Sequence, residues 1–132
     1  MKHLAMAVVV KQGKVLVQKR YRANKGMVTE FPGGRVELEE NGTDAAIREL
    51  AEETGLRGLA HTATFTKENE LGGRTYFVVL RAGEGAEPKA IDAERQQEFS
   101  WLTPDSIPQD DFYVADREFI QQHLQKYTLT PA

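Results

Sequence analysis

The chain has 132 residues, 40% of them apolar and 28% charged, with no cysteine. That length fits a single domain spanning residues 1–132, and the composition is that of a folded globular chain rather than a disordered tail. The absence of cysteine removes disulfides, thiolate zinc sites and sulfur nucleophiles, and a net charge of −3 from 17 basic and 20 acidic residues leaves no overall basic footprint for duplex nucleic acid.

The opening apolar run, Leu4 to Val10, is followed at once by Lys11, Lys14, Lys19 and Arg20, and no stretch reaches the apolar length of a spanning helix. A cytoplasmic protein without a membrane segment is expected. Val8–Val10 and Val15–Val17 flank Lys11-Gln12-Gly13-Lys14, which predicts a β-hairpin with Gly13 at positive φ. From Tyr21 to Gly34 the periodicity disappears, and Asn24, Gly26, Pro32, Gly33 and Gly34 predict a functional loop. A helix is expected from Asp44 to Thr54, capped by Thr43 and stopped by Gly55. Strands follow at Ala60–Thr66, Thr75–Arg81 and Phe99–Leu102, with a solvated loop over Ala82–Pro88. A last helix near Asp116–Gln125 should bury Phe119, Ile120 and Leu124. The fold class is therefore α+β with a mixed sheet.

The first helix carries the chemistry. On a helical wheel anchored at Ile47, the residues Leu50, Ala51 and Thr54 form a buried stripe, and Glu49, Glu52 and Glu53 gather on the opposite face. A solvated face is the plain alternative, but such faces interleave Lys or Arg at i+4, whereas Glu49 faces Glu52 and Glu53, at about 0.2–0.5 kcal/mol of repulsion per pair. A hard divalent cation, Mg²⁺ or Mn²⁺, would offset that repulsion.

Around this helix, Gly34 is followed after five residues by Glu40, then after seven more by Arg48-Glu49-Leu50, Glu52-Glu53 and Gly55-Leu56. This string resembles, position for position, the G-x5-E-x7-R-E-U-x-E-E-x-G-U box of the Nudix hydrolases, where U is a bulky aliphatic, and covers 23 of the 132 residues. Phe31-Pro32-Gly33-Gly34 and Glu37 also resemble the family's loop, although Leu38-Glu39 stands where many members have Pro-Gly. The resemblance implies a Nudix-type α/β/α sandwich and Mg²⁺-dependent hydrolysis of a nucleoside diphosphate linked to a further group. It implies Glu49, Glu52 and Glu53 as metal ligands with the Gly33 carbonyl, and Arg48 as the orienter of a catalytic glutamate. Glu40, specified by the box, ranks above Glu37 as an outer ligand. The water's proton goes to Glu52 or Glu53, or to a later-loop glutamate as in some members, for which Glu94 and Glu98 are the candidates.

Lys19, Arg20, Arg22 and Lys25 form a basic cluster that suits a polyphosphate, with Arg20 and Arg22 the chosen pair, though each alone also fits a solvated strand end. Tyr21, Phe31, Tyr76 and Phe112 are candidates to stack on a base, Phe31 being the chosen one beside Gly34. The segment Phe112–Asp116 resembles that in which MutT-type members carry a base-reading asparagine; here Asp116 either accepts hydrogen bonds from a base or caps the last helix. The expected substrate is a nucleoside triphosphate, an oxidised purine included, cleaved to monophosphate and pyrophosphate. ADP-ribose, nucleotide sugars, dinucleoside polyphosphates, an RNA 5′ end and a non-catalytic nucleotide-binding module are the alternatives, and Trp101 with the apolar first strand leaves a homodimer open.

Charge is unevenly spread. Residues 34–56 carry seven acids against Arg35 and Arg48, net −5, whereas residues 1–33 carry seven bases against Glu30, net +6. A basic segment abutting an acidic cassette is the arrangement a metal-bound polyphosphate requires.

Overall fold

Both faces of the first strand are apolar, and the computed structural model, which describes residues 2–129, places that strand at the centre of a mixed sheet. Strand β1 (Leu4–Lys11) pairs antiparallel with β2 (Lys14–Arg22) across the Gln12-Gly13 turn, where both residues have positive φ, 50° and 80°. The expected hairpin is present. On its other side β1 runs parallel to β6 (Arg74–Arg81), which pairs antiparallel with β5 (Ala60–Glu68), and β7 (Glu98–Leu102) pairs with β2.

The segment expected to be loop after Tyr21 instead supplies two strands. β3 (Gly26–Glu30) pairs with β2, and β4 (Gly33–Arg35) pairs with β1 through Ala5↔Gly34 and Met6↔Gly33. Of the β3 side chains only Thr29 is buried, so the ladder of backbone hydrogen bonds holds this strand without an alternating apolar pattern. In β4, a side chain at Gly33 would collide with the Ala5 carbonyl, so glycine is what lets the strand close on β1.

Successive β1 residues serve two cores. Ala5, Ala7 and Val9 face helix α1 (Gly42–Thr54) and its Ala45, Ala46 and Leu50, while Val8 and Val10 face the C-terminal helix through Phe119 and Leu124. This two-sided burial explains the uninterrupted apolar run and produces the α/β/α sandwich. Small residues on both sides, Ala5 and Ala7 against Ala45 and Ala46, fix which face of α1 packs. Ile47, the wheel's anchor, is consequently 38% exposed, and the buried side runs through Ala46, Leu50 and Glu53. The helix cap also differs: Asn41 Oδ1 accepts from Asp44 N at 2.8 Å, while Thr43 Oγ1 lies 2.8 Å from Thr64 Oγ1. Gly55, at φ 78°, stops the helix as expected.

The C-terminal helix begins as α2 (Val114–Phe119), widens into a π turn over Ile120–Leu124 and ends as α3 (Gln125–Thr128). Phe119 stacks on Phe77 with ring centroids 4.7 Å apart, and Phe119, Ile120 and Leu124 are buried as predicted. Trp101 packs beside the α1 core with Lys11 Nζ 4.2 Å from its ring centre. Among the described residues no helix is long and apolar enough to cross a membrane.

Candidate active site

Strand β4, the second half of α1, the outer ends of β2 and β3 and the start of α2 surround a cavity of about 580 Å³. Gly33, Gly34 and Glu49 line one part of it; Arg20, Arg22 and Lys25 line another, and Asp116 a third. Arg20 and Arg22, two apart on β2, share a strand face, whereas Lys19 and Tyr21 project from the other and stand outside the cavity wall.

Arg48 organises the acids. Its Nε donates to Glu40 Oε2 at 2.8 Å and its Nη2 to Glu40 Oε1 at 3.0 Å, a bidentate grip across the loop. Nη1 donates to Glu49 Oε1 at 3.1 Å and to Glu52 Oε2 at 3.2 Å, and Nη2 also reaches the Arg35 carbonyl at 3.0 Å. Glu37 stands farther off, at 3.7 Å. The guanidinium holds the Glu40 carboxyl below the usual carboxylate range, and these acids in turn raise the arginine's own proton affinity. Glu40 is thus bound to Arg48 within the loop.

The three helix glutamates do not share one exposed face. Glu52 is 56% exposed, Glu49 18%, and Glu53 only 2% at the side chain. The rotation of α1 that exposes Ile47 turns Glu53 inward, where Oε2 accepts from the Gly33 N–H at 3.0 Å and Oε1 from Gln18 Nε2 at 3.2 Å. Gln18, itself fully buried, accepts from Gln97 Nε2 at 3.1 Å. Burial pushes the Glu53 carboxyl up to about 8, with repulsion from Glu49 and Glu30 adding to it. Arg95 Nη1 lies 3.1 Å from Glu53 Oε1.

Among the described residues no three acidic or histidine side chains converge closely enough to enclose an ion. The donor chemistry nonetheless suits a hard divalent cation: Glu49 and Glu53 flank Gly33-Gly34, every donor is oxygen, and a Cβ on Gly34 would lie 2.5 Å from the Glu49 carboxylate carbon. Glycine leaves that space to the carboxylate.

Other sequence candidates fall differently. The Phe31 ring is 1% exposed and packed edge-on to Phe112 at 5.2 Å, so it borders the cavity with no face free for a base. Phe112 is likewise buried. Tyr76 packs over Gly42 on the α1 side. Glu98 sits exposed on β7 opposite Lys19, and neither it nor Glu94 lines the cavity; Arg95 is what this segment delivers. Asp116 is 5% exposed and does not cap α2, whose N-cap is Tyr113. Burial, with Glu30 nearby, raises its carboxyl to about 7. Arg22 is paired with Glu30 at 3.0 Å and Lys25 Nζ with the Tyr113 hydroxyl at 2.6 Å, while Arg20 Nε is buried with no partner among the described residues.

Gln18, Gln97 and Arg95 were not found by motif reasoning. A glutamine ending the apolar run Val15–Val17 is a usable signal, because a buried amide needs partners; Arg95 lies in a single 3₁₀ turn, Ala93–Arg95, without periodicity to mark it.

The cavity, with carboxylates and arginines in its wall at the edge of an α/β/α sandwich, suits a phosphate-bearing ligand held beside a cation. The NUDIX domain model matches residues 1–123, and the chain belongs to the Nudix hydrolases. It is similar to the CTP pyrophosphohydrolase of Escherichia coli (strain K12), at 26% identity over 128 residues, 96% of this chain and 93% of that one. Similarity to the RNA pyrophosphohydrolase of Novosphingobium aromaticivorans is 29% over 127 residues, covering 80% of this chain and 78% of that one. The crystal structure of a MutT NUDIX hydrolase from Burkholderia pseudomallei superposes with a TM-score of 0.67 at 26% identity, covering 93% and 98% of the two chains. The chain is therefore a Nudix hydrolase by family.

Proposed function

We propose that this site hydrolyses a nucleoside triphosphate, oxidised purine nucleotides included, to the monophosphate and pyrophosphate. The observation that carries the reading is that one cavity is lined by Glu49 with Gly33-Gly34, by Arg20, Arg22 and Lys25, and by buried Asp116, while Glu53 sits behind the Gly33 wall, accepting its N–H. The similarity to a CTP pyrophosphohydrolase along nearly the whole chain supports it.

Glu49, Glu52 and Glu53, with the Gly33 carbonyl, would hold Mg²⁺ or Mn²⁺. When bound, the ion neutralises phosphate oxygens and acidifies a water ligand. Arg48 fixes the Glu49 and Glu52 carboxylates, and the Gly33 N–H and Gln18 fix Glu53. Glu52 or Glu53, both on the motif helix beside Gly33-Gly34, accepts the attacking water's proton in this reading. Arg20 and Arg22 take phosphate oxygens and hold the anhydride in line. Asp116 accepts from base N–H donors.

The test is a panel of ribo- and deoxynucleoside triphosphates, oxidised dGTP, ADP-ribose, sugar nucleotides, dinucleoside polyphosphates and a 5′-triphosphorylated RNA, each with Mg²⁺ and with EDTA. Triphosphates should release pyrophosphate only with the metal, and Glu53→Gln should abolish release while the circular dichroism spectrum is unchanged. Turnover confined to sugar, dinucleotide or RNA substrates would overturn the assignment.

A further inference from the structure

We infer that Arg95 is a displaceable counter-ion that competes with the divalent cation for the Glu53 carboxylate. The inference rests on the metal reading proposed above and adds a residue to it. Glu53 is 2% exposed, and burying a carboxylate is costly unless hydrogen bonds or a cation compensate it. Gln18 and the Gly33 N–H each give one hydrogen bond, and Arg95 Nη1, 3.1 Å from Oε1, brings the positive charge.

The two cations compete for one carboxylate. A guanidinium in contact with Oε1 occupies one side of the carboxylate, and a divalent ion bound there would face like charge at contact distance. Arg95 is built to leave. It is carried by a single turn, Ala93–Arg95, closed by Asp92 at one end and by Gln96 at φ 51° at the other, rather than by a strand or long helix. Its side chain is 23% exposed and lines the cavity, so the head group can move to solvent or to a phosphate without crossing packed structure. Glu53, by contrast, is fixed in α1 and stays in place.

Titration of Mn²⁺ into apoprotein, with free Mn²⁺ read by electron paramagnetic resonance, tests this directly. Arg95→Gln should bind Mn²⁺ about ten-fold more tightly than the parent, the scale of one charge-assisted contact, and Arg95→Lys should stay within about three-fold of it. Without metal, Arg95→Gln should melt below the parent because Glu53 has lost its counter-ion, and saturating Mn²⁺ should close that gap. A purely structural arginine would leave the melting deficit in place at saturating Mn²⁺ and the affinity unchanged. Equal or weaker Mn²⁺ binding by Arg95→Gln, with binding lost in Glu53→Gln, overturns the counter-ion role and leaves the metal reading intact. Absence of Mn²⁺ binding in both parent and Arg95→Gln overturns both.

Discussion

Arg48 and Glu40, eight residues apart, are joined by two hydrogen bonds of 2.8 and 3.0 Å, and through them the loop after β4 is tied to the side of α1. The same guanidinium spaces Glu49 and Glu52, so one side chain sets both the loop and the acids. Lysine keeps the charge but has no planar fork. Arg48→Lys should therefore lower kcat about 10- to 100-fold, the usual cost of losing an outer partner of a metal ligand, with little change in melting temperature. Steady-state kinetics beside a melting curve checks it; kcat within two-fold of the parent, on the order of experimental scatter, would refute it.

Gly34 is required for a different reason. An alanine Cβ there would lie 2.5–2.7 Å from the Glu49 carboxylate atoms, which sit at the far end of a flexible side chain and can be pushed aside. Gly34→Ala should keep the fold and lose about 100-fold in kcat through misplacement of Glu49. Normal activity would show that Glu49 tolerates a shifted position.

Asp116 makes stability depend on pH. Its carboxyl is raised from 3.8 to about 7, so the folded chain binds the proton that the unfolded chain has released. The folded state thus gains stability at low pH and loses it as pH rises from about 4 to about 7. Asp116→Asn mimics the protonated form: it should match the parent near pH 4 and melt higher at pH 8. Melting curves of the two proteins that stay parallel across this range would remove the shift. The substitution leaves Glu53 unchanged, so the difference isolates Asp116.

The turn Leu38-Glu39, which departs from the family's usual Pro-Gly, has a visible cost. Glu39 has φ 66°, in the region that favours glycine, and Leu38 is 95% exposed. Glu39→Gly should stabilise the protein by about 0.5–1 kcal/mol, the relief of left-handed strain less the added chain entropy. Urea unfolding measures it, and a destabilised variant would contradict the argument.

Residues bound by local rules were legible in the sequence. The Gln12-Gly13 hairpin, the stop at Gly55 and the buried Phe119, Ile120 and Leu124 each depend on a few neighbours in the chain. Arg48 was legible because the box fixes its spacing to the acids. What depended on partners far along the chain was not. β3 and β4 exist because β2 and β1 offer free edges, and their own sequence carries little pattern. Glu53 was placed on the exposed face because Ile47 looked like the best apolar anchor, whereas the close approach of Ala5 and Ala7 selects the alanines of α1. Phe31 reads equally as a stacking ring or a core ring, and only Phe112 and Phe119 decide between them.

The short strand Gly33–Arg35 is clamped onto β1, and the Ala7 N–H also reaches the Pro32 carbonyl at 2.7 Å. The short strand's backbone pairs with β1, whose Ala5 and Ala7 are wholly inaccessible. Its amides should exchange with deuterium on the time scale of whole-molecule unfolding, unlike those of the 82–97 segment that carries Arg95. The enzyme's floor would then keep its shape for as long as the protein stays folded, and motion during turnover would be left to the opposite rim.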